Sequence, residues 1–218
     1  MKAITLSVLV VGSFASSVSA EEVLFQDNFN GKLAKDWSWV REHREAWRVS
    51  ERGLEVRIES GNMWGPQNNA RNVLIRPAPE AEDAEIEVCV TVENHPTNQY
   101  EQADLVWYYD DSNMVKLGQE LVDGSLSVVM GREEHDQTRT IAIVPLDSTS
   151  VTLRIFAKQG EIRGQFRTPN TTQWRDVGRC TMPAPGGGKA KISLQFYQGS
   201  DQAPHWARVT EFRILKHS

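Results

Sequence analysis

The sequence is short of the features that announce several large classes of function. Its two cysteines, Cys89 and Cys180, lie far apart in 218 residues, so the clustered Cys-x-x-Cys pairs of a structural zinc site are absent. The five histidines, at 43, 95, 135, 205 and 217, include no i, i+4 pair, and there is no Gly-x-Ser-x-Gly elbow. Helix-borne metal hydrolysis and a serine nucleophile therefore lose their signatures. Gly186-Gly187-Gly188-Lys189 lacks the spacing of a phosphate loop, and Ala190 stands where Ser or Thr is needed. A basic surplus is missing as well. The 24 Lys and Arg against 29 Asp and Glu give a net charge of −5, the wrong sign for a surface that works by neutralising phosphates, so nucleic acid is not the expected partner. No apolar run is long enough to span a bilayer.

What the N-terminus does have is Lys2, a short apolar run from Ile4 to Val11, and small residues ending Val18-Ser19-Ala20 ahead of Glu21-Glu22. That order reads as a secretory signal over 1–20, leaving 21–218 as the mature domain in a secreted or periplasmic location. Loss of Lys2 leaves 23 basic against 29 acidic side chains, a net charge of −6. Export permits a disulfide between Cys89 and Cys180; two separate thiols in apolar niches are the equal alternative.

Beyond residue 20 the hydrophobic period is two. Leu54, Val56 and Ile58 alternate with Glu55, Arg57 and Glu59; Ile86, Val88, Val90 and Val92 alternate with Glu87, Cys89 and Thr91; Val151, Leu153 and Ile155 with Thr152 and Arg154; and Ile192, Leu194 and Phe196 with Ser193, Gln195 and Tyr197, the signature of half-buried strands. Asp123-Gly124 and Gln159-Gly160 sit between such runs as two-residue hairpin turns. Val209 and Phe212 are an odd number of positions apart, which predicts either a bulge at Thr210-Glu211 or one exposed side chain. About a dozen short strands with frequent turns make an all-β protein, a two-sheet antiparallel β-sandwich in one domain.

The acidic run Glu80, Glu82, Asp83, Glu85, Glu87 raises glycoside cleavage, which needs two carboxyls about 5–9.5 Å apart across the bond. Its first members follow Pro77 and Pro79, however, and a solvated loop is the better reading. More informative is the segment Leu105-Val106-Trp107-Tyr108-Tyr109, apolar or aromatic on both faces as a central strand is. With Leu105 and Trp107 inward, Asp104, Val106 and Tyr108 share the other face. On the next strand Lys116 and Glu120 share a face with bare Gly118 between them, and Gln195 and Tyr197 join from another. Rings beside amide, ammonium and carboxylate groups suit a sugar, whose ring faces are apolar and whose edges hydrogen-bond. The loop from Gly61 to Asn72 brings Trp64 and Arg71 to the rim.

Trp37-Ser38-Trp39-Val40-Arg41-Glu42, the Gly61-Asn62-Met63-Trp64-Gly65 turn, Arg71-Asn72-Val73-Leu74, the stretch Tyr100 to Tyr108, Val115-Lys116-Leu117-Gly118-Gln119-Glu120 and Trp206-Ala207-Arg208-Val209 together resemble a concanavalin A-like family related to the C-terminal sandwich domain of β-xylosidases and to the yeast regulator of enolase. The resemblance covers nearly the whole mature chain. It implies a concanavalin A-like jelly roll with a concave face, and a carbohydrate-binding or glycoside-cleavage accessory role with a polysaccharide as partner. Related jelly rolls hold a structural calcium near the first strand, which makes Asp27, Asn30 and Glu211 calcium candidates; no other cofactor is implied. Family members tend to have Gly where this chain has Asp104, so a carboxyl is expected to intrude on the groove. Two alternatives stand beside binding: a glycoside hydrolase or polysaccharide lyase with Glu120 and Asp104 as acid and base, and a protein-interaction module with a flat apolar patch.

Overall fold

The computed structural model describes residues 21–217; the leader expected over 1–20 lies outside the described residues. Fifteen strands follow in chain order: β1 Glu21–Asp27, β2 Ser38–Val40, β3 Trp47–Ser50, β4 Gly53–Arg57, β5 Val73–Pro77, β6 Glu85–Glu93, β7 Gln102–Asp110, β8 Asn113–Val122, β9 Ser125–Glu134, β10 Gln137–Pro145, β11 Ser150–Lys158, β12 Glu161–Arg167, β13 Arg175–Thr181, β14 Lys191–Tyr197 and β15 Trp206–His217. One three-residue 3₁₀ turn, Arg44–Ala46, interrupts them. No helix among the described residues is long and apolar enough to cross a membrane.

Two antiparallel sheets result. The first runs β13-β12-β11-β6-β15-β4-β3, with β1 also on β15; the second runs β10-β9-β8-β7-β14-β5-β2. Period-two patterning explains why they face each other. Val88, Val90 and Val92 of β6 and Leu153 and Ile155 of β11 meet Leu105 and Trp107 of β7, Val115 and Leu117 of β8, and Leu194 of β14 in one continuous core. Burial of these side chains, at about 25 cal/mol per Å² of apolar surface, is the main favourable term holding the layers together.

The turns behave as their residues dictate. Asp123 and Gly124 have φ of 50° and 74°, and Gln159 and Gly160 have 47° and 77°, the positive pairs that let β8–β9 and β11–β12 close with two-residue loops. Near the C-terminus the odd spacing resolves as a bulge. Register shifts between Thr210 and Arg213, Glu211 takes φ 53°, and Val209 and Phe212 are both fully buried.

The disulfide expectation is corrected. Cys89 and Cys180 are free. They sit on β6 and β13, separated by β11 and β12, a lateral distance of about 14 Å at normal strand spacing and beyond any disulfide. Cys89 donates to Glu87 Oε1 on the outer face, whereas Cys180 packs toward the core.

Candidate functional site

β7 is the fourth of seven strands in the second sheet, between β14 and β8. Registers Gln195↔Asp104 and Tyr197↔Gln102 on one side, and Gln102↔Glu120, Asp104↔Gly118 and Val106↔Lys116 on the other, carry the predicted polar set onto the face turned away from the core. The structure divides that set in two.

One half of the face is sealed. Met63 and Ala70 of the 61–72 loop pack on Val73, Val106, Tyr108, Met114 and Tyr197 in a second, smaller apolar cluster. Tyr108, Gln195 and Tyr197 are thereby buried, so they are not stacking surfaces in an open groove. Two contacts hold the loop down. Arg41 donates through Nε to the Ala70 carbonyl at 2.6 Å and is itself fixed by Asp111 at 2.5 Å; Tyr108 also spends its hydroxyl on Asp111, at 2.7 Å. Gly65 N–H meets both oxygens of Glu133, on β9, at 3.2 Å. Burial pushes the Glu133 carboxyl up to about 7, against the pull of that Gly65 bond.

The other half opens into a cavity of about 460 Å³ lined by Trp64, Gln102, Lys116, Glu120, Asp123 and Thr140 among others. Lys116 is its floor. The ammonium donates to Gln102 Oε1 and to Glu120 Oε2, the latter at 3.0 Å, and lies 4.8 Å from the centre of the Trp64 ring. Lys116 and Glu120 are 3 % and 6 % exposed, so this is a desolvated pair rather than a solvated surface one, and it resists screening. The tip of the Trp64 indole presses on Gly131, where any Cβ would collide with the ring. Only glycine there lets the ring reach the sheet. Tyr100, half exposed, stands at the rim.

Asp104 lies beneath this floor. Its carboxyl occupies the space over Gly118, where a Cβ would overlap Oδ1. Burial pushes the group up to about 7; Lys116 pulls it back and Glu120 raises it. The Tyr197 hydroxyl stands beside it, yet neither that hydroxyl nor either Asp104 oxygen has a partner of hydrogen-bonding geometry. A carboxyl in that position is far less costly to bury protonated than charged. Asp104 therefore does not intrude on the open cavity, and it does not face Glu120 across a cleft as an acid–base pair must.

Another expectation is corrected. Arg71 is exposed, 3.4 Å from His43 Nδ1, and is outside the cavity. Of the calcium candidates Asp27, Asn30 and Glu211, the two carboxylates are engaged by the protein's own donors. Asp27 accepts N–H donors from Phe29, Ala34 and Trp37 at 2.7–3.0 Å, and Glu211 accepts from Thr91. Among the described residues no group of three His, Cys, Asp or Glu is placed to hold a metal ion. Sequence reasoning misses Gln102, Tyr100 and Thr140 as lining residues. Gln102 is findable, because it is two residues before Asp104 on the same strand face; Thr140 requires knowing which strand follows β9 in the sheet.

The fold has known relatives. A family model described as the β-xylosidase C-terminal concanavalin A-like domain matches residues 26–185. The chain belongs to that family. Trp64, Lys116 and Glu120 all lie within the matched segment of this β-xylosidase C-terminal-like domain. Among solved structures it is similar to the GH43 protein BlXynB from Bacillus licheniformis, at TM-score 0.75 and 16 % identity over 87 % of this chain and 38 % of that one. A xyloglucan PUL GH43B protein of Bacteroides ovatus gives 0.72 and 18 % over 94 % and 40 %. A functionally unknown protein from Saccharomyces cerevisiae gives 0.58 and 12 % over 84 % and 94 %. The chain thus spans about two-fifths of those two GH43 proteins, and at these identities the likeness is one of fold. No curated protein matches the chain.

Proposed function

We propose that this domain is an exported carbohydrate-binding module, non-catalytic in itself, that takes a short saccharide in the cavity over Lys116. The observation that carries the reading is the desolvated Lys116–Glu120–Gln102 floor beneath an open cavity walled by Trp64. A fixed charged pair with unused lone pairs and N–H groups orients hydroxyls, and an indole wall with Tyr100 at the rim supplies the apolar face that a pyranose or furanose ring needs. Membership of a family named for xylosidase domains supports a sugar as the ligand, and the leader-like segment 1–20 supports export. The seclusion of Asp104 over Gly118 removes it as a partner for Glu120, and the other lining carboxyl, Asp123, is exposed in the β8–β9 turn, which speaks for binding over hydrolysis.

The test is calorimetric titration of the mature protein with xylo-, arabino- and gluco-oligosaccharides, together with its retardation in polysaccharide gels. Saturable binding to one class, weakened about tenfold in Trp64→Ala, is the expected result. Absence of binding across the panel, or full binding in Trp64→Ala, overturns the reading. Reducing-end release that disappears in Glu120→Gln would replace it with catalysis.

A further inference from the structure

The outer face of the first sheet carries a cavity of its own, of about 410 Å³. Its floor is a row of side chains across four neighbouring strands. Registers Thr210↔Thr91, Thr91↔Thr152 and Thr152↔Arg167 set three hydroxyls and a guanidinium side by side from β15 through β6 and β11 to β12, about 14 Å from end to end at normal strand spacing. Alternation turns the row outward, because the chain neighbours Val209, Val92, Leu153 and Phe166 point into the core. The 168–172 turn forms the wall. It is tied by Thr171 N–H to the Thr168 carbonyl at 3.2 Å and by Gln173 N–H to the Thr171 hydroxyl at 3.0 Å.

The two ends of the row differ in chemistry. Thr91 donates to Glu211 at 3.1 Å, which spends its one proton, so in the 2.9 Å contact between Thr91 and Thr152 the Thr152 hydroxyl is the donor. Both protons thus run toward Glu211, and Thr152 offers lone pairs to anything that brings a hydroxyl. Arg167 stands at the other end. Among the described residues it makes no ion pair and no side-chain hydrogen bond, and its guanidinium lies 4.8 Å from the centre of the Trp174 ring. Arg154 packs on the same ring at 3.7 Å but is engaged by Glu87 and Gln165. Arg167 keeps its N–H fork free, and stacking limits how far it wanders.

The surroundings share its sign. Strands β11, β12 and β13 carry six Lys and Arg against only Glu161 and Asp176, in a chain of net charge −5. Those two carboxylates are met by Arg179 at 3.7 Å and Gln165 at 2.6 Å. No large hydrophobic side chain is exposed on these three strands, so the face lacks the apolar centre of a protein interface.

We infer that this cavity binds a uronic acid unit of a saccharide, with the carboxylate on the Arg167 fork and the ring hydroxyls over Thr152, Thr91 and the 168–172 turn. A carboxylate meets a guanidinium bidentately, and hydroxyl donors meet the lone pairs that the threonine chain leaves open. Turned end for end, the ligand sets its charge beside Glu211 and is repelled. The site shares no lining residue with the Lys116 cavity.

The probes are digalacturonate; its dimethyl ester, which keeps the ring hydroxyls and loses the charge; and inorganic phosphate and triglutamate, which bring charge without a sugar ring. Calorimetry and amide NMR shifts on the mature protein should show saturable binding of digalacturonate, with shifts at Thr152, Arg167 and Thr171. The dimethyl ester should bind about tenfold more weakly, and phosphate and triglutamate should not displace digalacturonate at equal concentration. Arg167→Gln should weaken digalacturonate about tenfold, and Arg167→Lys, which keeps the charge without the fork, several-fold. Thr152→Val keeps the branched shape that suits the strand and removes the hydroxyl; it should cost about threefold. Trp64→Ala should leave digalacturonate binding intact, so failure of saccharide binding at Lys116 is a separate result. The proposal is overturned if digalacturonate does not saturate, if its dimethyl ester binds equally well, or if Arg167→Gln retains the parent affinity. Equal competition by phosphate or triglutamate overturns it too, in favour of a general anion or acidic-peptide site.

Discussion

Asp104 shows how one side chain can be both legible and misread. Alternation along β7 places it on the outward face, and the family resemblance flags it as an acid where glycine is usual. Neither reveals that the missing Cβ of Gly118 leaves a slot just large enough for its carboxyl. Because burial raises this group from its ordinary value of 3.8 to about 7, linkage fixes a sign. The unfolded chain gives up the proton from about pH 4 upward while the folded chain holds it to about 7, so the stability Asp104 contributes is complete below pH 4 and is lost as pH rises through 7. Lys116, Glu120 and Tyr197 are the charged and titratable groups that face it. Asp104→Asn has no proton to lose. Its stability relative to the parent should climb between pH 4 and 8 by roughly 2–4 kcal/mol, read by urea unfolding at each pH. A constant difference across that range would show that Asp104 is charged throughout.

Strand β15 carries the corresponding lesson for an element. It is the longest strand, and it serves two partners on one edge: Trp206–Val209 pairs with β4, and Phe212–His217 pairs with β1. The bulge falls at the hand-over, where an extra residue lets Val209 and Phe212 both reach the core. That residue is Glu211, held at φ 53°, a left-handed backbone that glycine adopts freely and a β-branched side chain resists. Glu211→Val should therefore cost about 1–2 kcal/mol, and Glu211→Gly a few tenths at most, as its glycine freedom offsets the exposed Thr91 bond. Equal losses in both variants, measured as shifts in the urea midpoint, would place the energy in the Thr91 contact instead. Spacing in the sequence announces this bulge because register is a local arithmetic of faces. The 61–72 loop is legible only as polar and aromatic. Its descent onto Val106 and Tyr197 depends on Arg41, Asp111 and Glu133, residues remote in sequence whose pairing no local pattern encodes.

At the scale of the molecule, two layers and one core follow from period-two patterning, whereas the order of strands within each layer does not. That order decides the fate of the cysteines. Cys89 and Cys180 are on strands three places apart and on opposite faces of one sheet, so no side-chain rotation joins them, and only a rearranged sheet could. Each thiol is also held protonated by burial, Cys180 at about 11 and Cys89 higher still beside Glu87, which suppresses the thiolate that attacks oxidants. The mature protein, purified without reductant, should thus yield two titratable thiols when denatured in guanidinium and react only slowly with a disulfide reagent when native at mildly alkaline pH. Its thermal midpoint should not move on adding dithiothreitol, because a native bridge would be worth about 2–5 kcal/mol and its reduction would be visible. Loss of both thiols in the denatured protein, together with a lower midpoint in reductant, would contradict the strand order itself, and with it the placement of every residue that β6, β11, β12 and β13 carry.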